Sequence, residues 1–514
     1  MPVLVNDGLT PLREPLADGQ ATATLAGASP PAGLVRASAP EASPLPLWLW
    51  PVAICLALLG LVSANPMLTA TGVLAVPLLV SLLWRPGEPP ILLACCLMQW
   101  LQSMTPVFDA DLTGNSLEAV SGLSTHDQAT WLSLAGVLAV AVGMRLALNH
   151  RLGAAAQQME LEFGKLSLSR VFVAYLVSFG VTYVSDSLAW GLGGLAQLVL
   201  ALSSLKWALL WMLMVCGLGQ GRGYGFLVAA LLLEASIGFL GYFSTFKESF
   251  FVLAIALFSI RRRLAPSVRL GLGVSVITLL AMMIFWQAIK IDYRNFVNKG
   301  QGDQAVRVSV EARIEKLGQL LASVDSVAIE RGLETLVDRV GYTELFAATL
   351  EWVPANEPHA GGELLKAAIL HPLMPRLLFP NKEAINDSER ARRFSGLTLS
   401  GSEEGTSIGI GLMAESYADF GPALMFLPLL LLGYLFGRVY RVFRGNLVST
   451  VWGVALAIGV FFTTMRGVEI SGVKLLGGML TAGLVMFALN RFFGRGIFQF
   501  LSGGKASGVG QSVR

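Results

Sequence analysis

The stretch RRRLAPSVRLGLGVSVITLLAMMIFWQAIKIDYR, residues 261–294, decides how the rest of the chain is read. Twenty consecutive residues, 270–289, carry no charge. A helix of roughly 20 apolar residues spans about 30 Å of hydrocarbon. Inside a bilayer the backbone N–H and C=O groups have no water to bond, so an open apolar run must be helical. Arg261, Arg262, Arg263 and Arg269 mark one end of this run, and Lys290, Asp292 and Arg294 the other. Beyond it the chain turns hydrophilic for more than a hundred residues, 291–405.

Working outward, similar apolar segments recur at 47–64, 66–84, 89–107, 130–148, 170–186, 190–219, 223–243 and 247–260 before the quoted run. After the hydrophilic region they recur at 420–437, 448–466 and 474–493. The composition agrees: 54% of residues are hydrophobic, only 14% are charged and the mean hydropathy is +0.64. Soluble domains carry about 25% charge. The expected fold is an all-α integral membrane protein of about 12 transmembrane helices with one large outward-facing, partly helical loop. Segment 190–219 contains Gly191, Gly193 and Gly194 and reads as a broken helix, and 247–260 is short.

Charge sets the expected orientation through the positive-inside rule. Arg85, Arg145, Arg151, Lys165, Arg170 and Arg222 fall in loops on the same side as the arginine triplet, as do Arg438, Arg441, Arg444, Arg491, Arg495 and Lys505. Loop 108–129 on the other side has four acids and no Lys or Arg. Both termini are therefore expected in the cytoplasm. The expected division is a disordered cytoplasmic tail (1–46), helices one to nine (47–290), a large periplasmic loop (291–405), a re-entry segment with helices ten to twelve (406–494), and a cytoplasmic tail (495–514). The first apolar run starts only near Leu47, so helix one is expected to act as an uncleaved signal anchor. Within the loop, Val310, Ile314, Leu317, Leu321 and Val324 have helical spacing with charges between them, which predicts two or three amphipathic helices over 303–350. The remainder, 354–405, is richer in Pro and Gly and reads as ordered loop.

Common catalytic motifs are absent. There is no P-loop or HExxH, and the glycine-rich run 217–225 does not match a dinucleotide fingerprint. Cys55, Cys95, Cys96 and Cys216 lie in apolar segments without a CxxC pair and read as small buried hydrophobes. No metal site, cofactor or nucleic-acid partner is expected. What remains is a charge cluster on the outer side: Lys247, Glu248, Lys290, Asp292, Arg294, Arg339, Arg376, Lys382, Glu389, Arg390, Arg392 and Arg393. Arginine binds phosphate oxygens with a planar, permanently charged fork, so such a cluster suits a lipid diphosphate. As solvated loop charges the same residues would have no such role.

The apolar run TSIGIGLMAESYADFG, residues 406–421, adds two carboxylates at the hydrocarbon boundary. An acid there is costly without a partner. Glu415 is a candidate general base or an orienting partner for an arginine. Asp419 fits better as a structural acid at the start of the next helix, favoured by its dipole. Glu234 lies mid-span and isolated, with pairing to a backbone or hydroxyl group as the simpler reading. His359 and His371 lie in the loop, where protons could be relayed near neutral pH or where they are simply surface residues.

Pro375-Arg376, Pro380-Asn381-Lys382, Gly409-x-Gly411 and Glu415-x-Tyr417-x-x-Phe420-Gly421 together resemble the O-antigen polymerase (Wzy-type) family, bacterial polymerases of polysaccharide repeat units. Arg339 and the pair Gly361-Gly362 fit the same pattern upstream. Arg390 and Gly401 fit an Arg-x10-Gly spacing, which 55 glycines make common by chance. The resemblance implies a glycosyltransferase of the bacterial inner membrane that takes undecaprenyl-diphosphate-linked oligosaccharides and works without a cofactor, with a chain-length regulator as a further partner. With the charge cluster above, the expected catalytic residues are Glu415, Arg376 and Arg294, and the expected substrate contacts are Lys382, Arg339, Lys247, Tyr417, Arg390 and Arg393. A related O-antigen ligase, or a membrane transporter, is the alternative.

Overall fold

The computed structural model describes residues 46–148, 153–188, 192, 195–242, 245–260, 264–301, 306–375, 378–379, 381–401, 406–446, 448–464 and 469–504. Every regular element among them is a helix. The chain begins with α1 (Leu49–Gly60), α2 (Pro66–Leu83), α3 (Ile91–Leu112), the short α4 (Leu117–Ser121) and α5 (His126–Ala147). It continues through α6 (Gly153–Phe163), α7 (Leu168–Leu188), α8 (Ala196–Ala201), α9 (Ser203–Gln220), α10 (Tyr224–Leu240), α11 (Phe246–Ser259) and the long α12 (Pro266–Val297). The hydrophilic region supplies α13 (Val310–Ser323), α14 (Ser326–Val340), α15 (Thr343–Trp352), α16 (Glu363–Leu373) and α17 (Asp387–Ser395). Then come α18 (Leu412–Leu424), α19 (Phe426–Arg444), α20 (Thr450–Thr464) and α21 (Gly472–Ser502).

Each of the twelve apolar segments read from the sequence contains helix among the described residues. Eight of the helical stretches are long and apolar enough to cross a membrane: α2, α3, α5, α7, Ala196–Gln220, α12, α19 and α21. The protein is a helical, multi-pass membrane protein on that ground. Helices α1, α10 and α20 are apolar but shorter, and α11 has 14 residues with Lys247 and Glu248 in its first turn.

Three differences from the sequence reading have local causes. The region 354–405 was expected as loop but holds α16 and α17; the latter starts at Asn386, whose side chain accepts a bond from the Glu389 N–H. The span expected at 420 starts instead at Phe426. Gly421 adopts φ 72° and is followed by Pro422, which has no N–H to offer, so the chain kinks and α18 becomes a separate helix. Cys55 is exposed on α1, whereas Cys95, Cys96 and Cys216 are buried as expected.

The core is built where small residues let helices approach. Helices α5 and α19 pack against each other through Gly143 and Gly433. A methyl group on Gly433 would fall on the Val140 carbonyl oxygen, and one on Gly143 on that of Leu430. Gly433→Ala should therefore lower stability by about 1–3 kcal/mol through overpacking, read as reduced thermal stability in detergent. A variant as stable as wild type would show that the two helices can separate freely. The 450–462 stretch of α20 and the 208–216 stretch of α9 are buried along their length. Glu162 at the end of α6 starts α20 by accepting from Ser449 Oγ (2.6 Å) and the Val451 N–H (3.0 Å). Helix α12 is peripheral: none of its apolar window is buried, and it leans on α14.

Candidate functional site

The site lies where α17, α18 and the start of α21 meet below α15 and α16. Helix α18 begins after Gly411, whose φ of 85° suits glycine. Its first turn carries Glu415, which is 7% exposed and accepts a 2.7 Å bond at Oε2 from the Gly472 N–H of α21. A side chain at 472 would press on that oxygen at 3.0 Å, so glycine is what allows the approach. Glu415 thus sits at two helix N-termini, a setting that favours the carboxylate. Burial opposes this and wins: the carboxyl is pushed up to about 7, with the Gly472 N–H and Arg390 pulling the other way and Asp387 adding to the rise.

Around Glu415 stand further polar groups. Asp387, at the first position of α17, is 3% exposed and pairs at Oδ2 with Lys474 Nζ at 2.7 Å. Its Oδ1 has no hydrogen-bond partner among the described residues. Lys474 Nζ also donates to Ser407 Oγ at 2.7 Å. Arg390, one turn along α17, has a buried Nη1 with no hydrogen-bond partner among the described residues. Tyr342 ties the neighbouring strands of chain together, donating to the Gly409 carbonyl and lying 3.3 Å from that of Glu469. Burial raises its phenol well above the ordinary value.

Beneath this polar group opens an apolar cleft of about 190 Å³ between α16, α18, α19 and α21. Glu415, Ser416 and Asp419 form its polar wall, facing Leu364, Ala368, Leu432 and Leu475. Asp419 has a structural role, but not at the start of its own span as expected. Its carboxylate accepts from Leu364 N (3.0 Å) and Leu365 N (2.7 Å), the first turn of α16. Burial raises its pKa, with those bonds opposing. Tyr417 is buried and donates to the Val353 carbonyl (2.9 Å), with His359 edge-on to its ring at 5.3 Å. His359 contacts the Ala418 carbonyl at 3.3 Å.

The other expected residues are dispersed. Lys382 donates to the Met374 carbonyl (2.9 Å) and to that of His371, closing the end of α16 where a cation suits the helix dipole. Arg393 pairs with Glu357 (2.7 Å) and Glu363 (3.7 Å) and lies over Phe394. Arg294 belongs to a separate cluster of α10 to α13: it donates to the Tyr242 carbonyl (3.1 Å) and covers the Tyr242 ring at 4.7 Å. Lys247 is exposed on the first turn of α11. Arg376 lies outside the described residues, and so does the side chain of Arg339 on α14. The structure therefore brings Arg390 to Glu415 and leaves Arg294, Lys382 and Arg393 engaged elsewhere.

Sequence reading missed Asp387, Lys474 and Tyr342. Asn386-Asp-Ser-Glu389 is a helix-start pattern that would have pointed to α17, and Lys474 is an ionisable residue at the first position of an expected span. Also missed was the partner of Glu234, which is not a simple hydroxyl contact: it bonds both Lys206 Nζ (2.9 Å) and Tyr175 OH (3.0 Å). No group of three or more His, Cys, Asp or Glu able to hold a metal ion occurs among the described residues. No curated protein and no solved structure matches the chain. Residues 116–491, spanning every element from α4 to α20 and all the residues that line the cleft, match the family described as "Domain of unknown function (DUF8712)", and the chain belongs to that family.

Proposed function

We propose that this protein is a glycosyltransferase of the bacterial inner membrane that joins undecaprenyl-diphosphate-linked oligosaccharide repeat units into a surface polysaccharide or exopolysaccharide. In this reading the chain crosses the membrane about twelve times, both termini are cytoplasmic, and Glu415 faces the periplasm. The observation that carries it is a buried carboxyl, its pKa pushed up to about 7, at the junction of an apolar cleft and the arginine-bearing helix α17. That junction matches a substrate with a lipid tail, a diphosphate and a sugar.

Glu415 Oε2 is taken by the Gly472 N–H, so Oε1 is the oxygen left to receive a proton. The acceptor sugar hydroxyl gives its proton there while its oxygen attacks the anomeric carbon of the donor. The bond from that carbon to the diphosphate breaks, and the lipid diphosphate departs with the electron pair. Fixed cations in a site shielded from water stabilise that developing charge. Arg390 is placed for this, with Arg376 as the partner that the resemblance implies.

Purified protein given lipid-linked repeat units in detergent should produce a ladder of multimers still attached to the lipid diphosphate. Transfer of preformed polymer to a different acceptor, with no ladder, would instead make the protein a ligase. One observation favours transport: the buried Tyr175–Glu234–Lys206 group within the membrane helices, since intramembrane charges often mark ion paths. Elongation by the purified protein would exclude transport as the main activity.

A further inference from the structure

A second polar cavity, of about 530 Å³, lies away from the Glu415 site, where the ends of four membrane helices come level. The start of α7 and the end of α21 are tied there by the Ser167 N–H donating to the Leu501 carbonyl at 2.9 Å. The end of α9 and the start of α10 complete it through Arg222 and Gly223. Gln220 braces the frame, donating to the Phe163 (2.6 Å) and Leu166 (3.0 Å) carbonyls.

The cavity is lined by three cations, Lys165, Arg170 and Arg222, and by no acidic side chain among the described residues. Arg170 spends Nη1 on the Phe500 carbonyl (3.1 Å) and stacks over the Phe500 ring, which fixes its guanidinium. Arg222 uses Nε on Gln220 (2.8 Å). Their remaining donors have no hydrogen bond among the described residues. Ser167 and Ser169 add hydroxyls at the lip. Three cations with unspent donors, Arg170 among them held against Phe500, fit the oxygens of a phosphate.

We propose that this cavity binds the phosphate headgroup of an anionic phospholipid. Its depth argues for a lipid. Three of its walls, from α7, α9 and α21, are ends of helical stretches long enough to cross a bilayer, so it sits at the headgroup layer rather than in open water. Helix α21 runs 31 residues, roughly 46 Å at 1.5 Å per residue, longer than the hydrocarbon core, and exposes Phe492, Phe493 and Phe500 near the same end. Exposed Phe side chains next to the exposed Arg491 and Arg495 suit the boundary between headgroups and acyl chains.

The test is native mass spectrometry of the full-length protein in detergent with added phosphatidylglycerol or phosphatidylcholine. Wild type should retain phosphatidylglycerol selectively. The double variant K165Q/R222Q removes two cations that hold no helix together; each interfacial cation contributes enough for a roughly thirty-fold weaker binding together. Arg491→Gln, an exposed cation outside the cavity, should leave retention unchanged. Equal retention by K165Q/R222Q, or equal loss with Arg491→Gln, would overturn the assignment. So would displacement of the lipid by millimolar inorganic phosphate, which would give the cavity to a soluble phosphate instead.

Discussion

Replacing Glu415 by Gln should reduce chain elongation by about 10²–10⁴-fold, the usual contribution of a positioned general base, while the protein stays folded in the membrane. The amide keeps an acceptor for the Gly472 N–H, so the α18–α21 contact survives. Wild-type activity should rise with pH through about 7, because a base acts only when ionised and burial holds this carboxyl near that value. The residual activity of the variant should lack that rise. Stability should move the opposite way. The folded-state pKa is raised above the ordinary 4.5, so the unfolded chain ionises first and wild-type stability falls as pH rises from 4.5 to 7. The fall is up to about 3 kcal/mol, and the glutamine variant should not show it. A variant with full activity and an unchanged pH profile would remove Glu415 from the chemistry.

The second large effect concerns the ion pair between α9 and α10. Glu234→Leu leaves Lys206 charged and unpaired inside the helices, which should cost about 3–5 kcal/mol. The double variant K206M/E234L should recover most of that loss, because apolar replacement of both partners is often neutral or better. Lys206 also lies 3.8 Å from the Trp207 ring centre, so part of the single-variant cost is softened by that face. The comparison is a thermal unfolding series of the four proteins in one detergent. Failure of the double variant to recover would mean that the pair does more than neutralise itself. Its elongation activity then separates the two readings of function: a polymerase should keep it.

How far the fold was legible depended on which interaction specified each element. Helices defined by lipid length were readable, because twenty uncharged residues admit one solution. The break at Gly421-Pro422 has a local signal, a Gly-Pro pair, but the apolar run that continues across it masked the break. The helices α16 and α17 escaped because neither has an apolar run long enough to span a membrane; they are held by Asp419 and Asn386 at their starts. At the site, Glu415 stood out as an acid in an apolar run. Its neighbours come from positions 342, 387 and 474, which nothing local links. Arg294 and Lys382 looked equally suited to phosphate until their partners were visible, because a helix C-terminus attracts a cation for the same reason that a diphosphate does.

The close contact of α5 with α19 has a consequence for biosynthesis. About 280 residues separate Ala147 from Phe426. At roughly 5–20 residues per second, α5 waits on the order of 15–60 seconds in the membrane before its partner is made. During that interval the notch at Gly143 faces lipid or another nascent helix. A ribosome stalled within the hydrophilic region would leave the early helices without the partner that locks them, exposed to quality-control proteases. Expression of this chain should be more sensitive to slow codons between those two helices than to slow codons after α19.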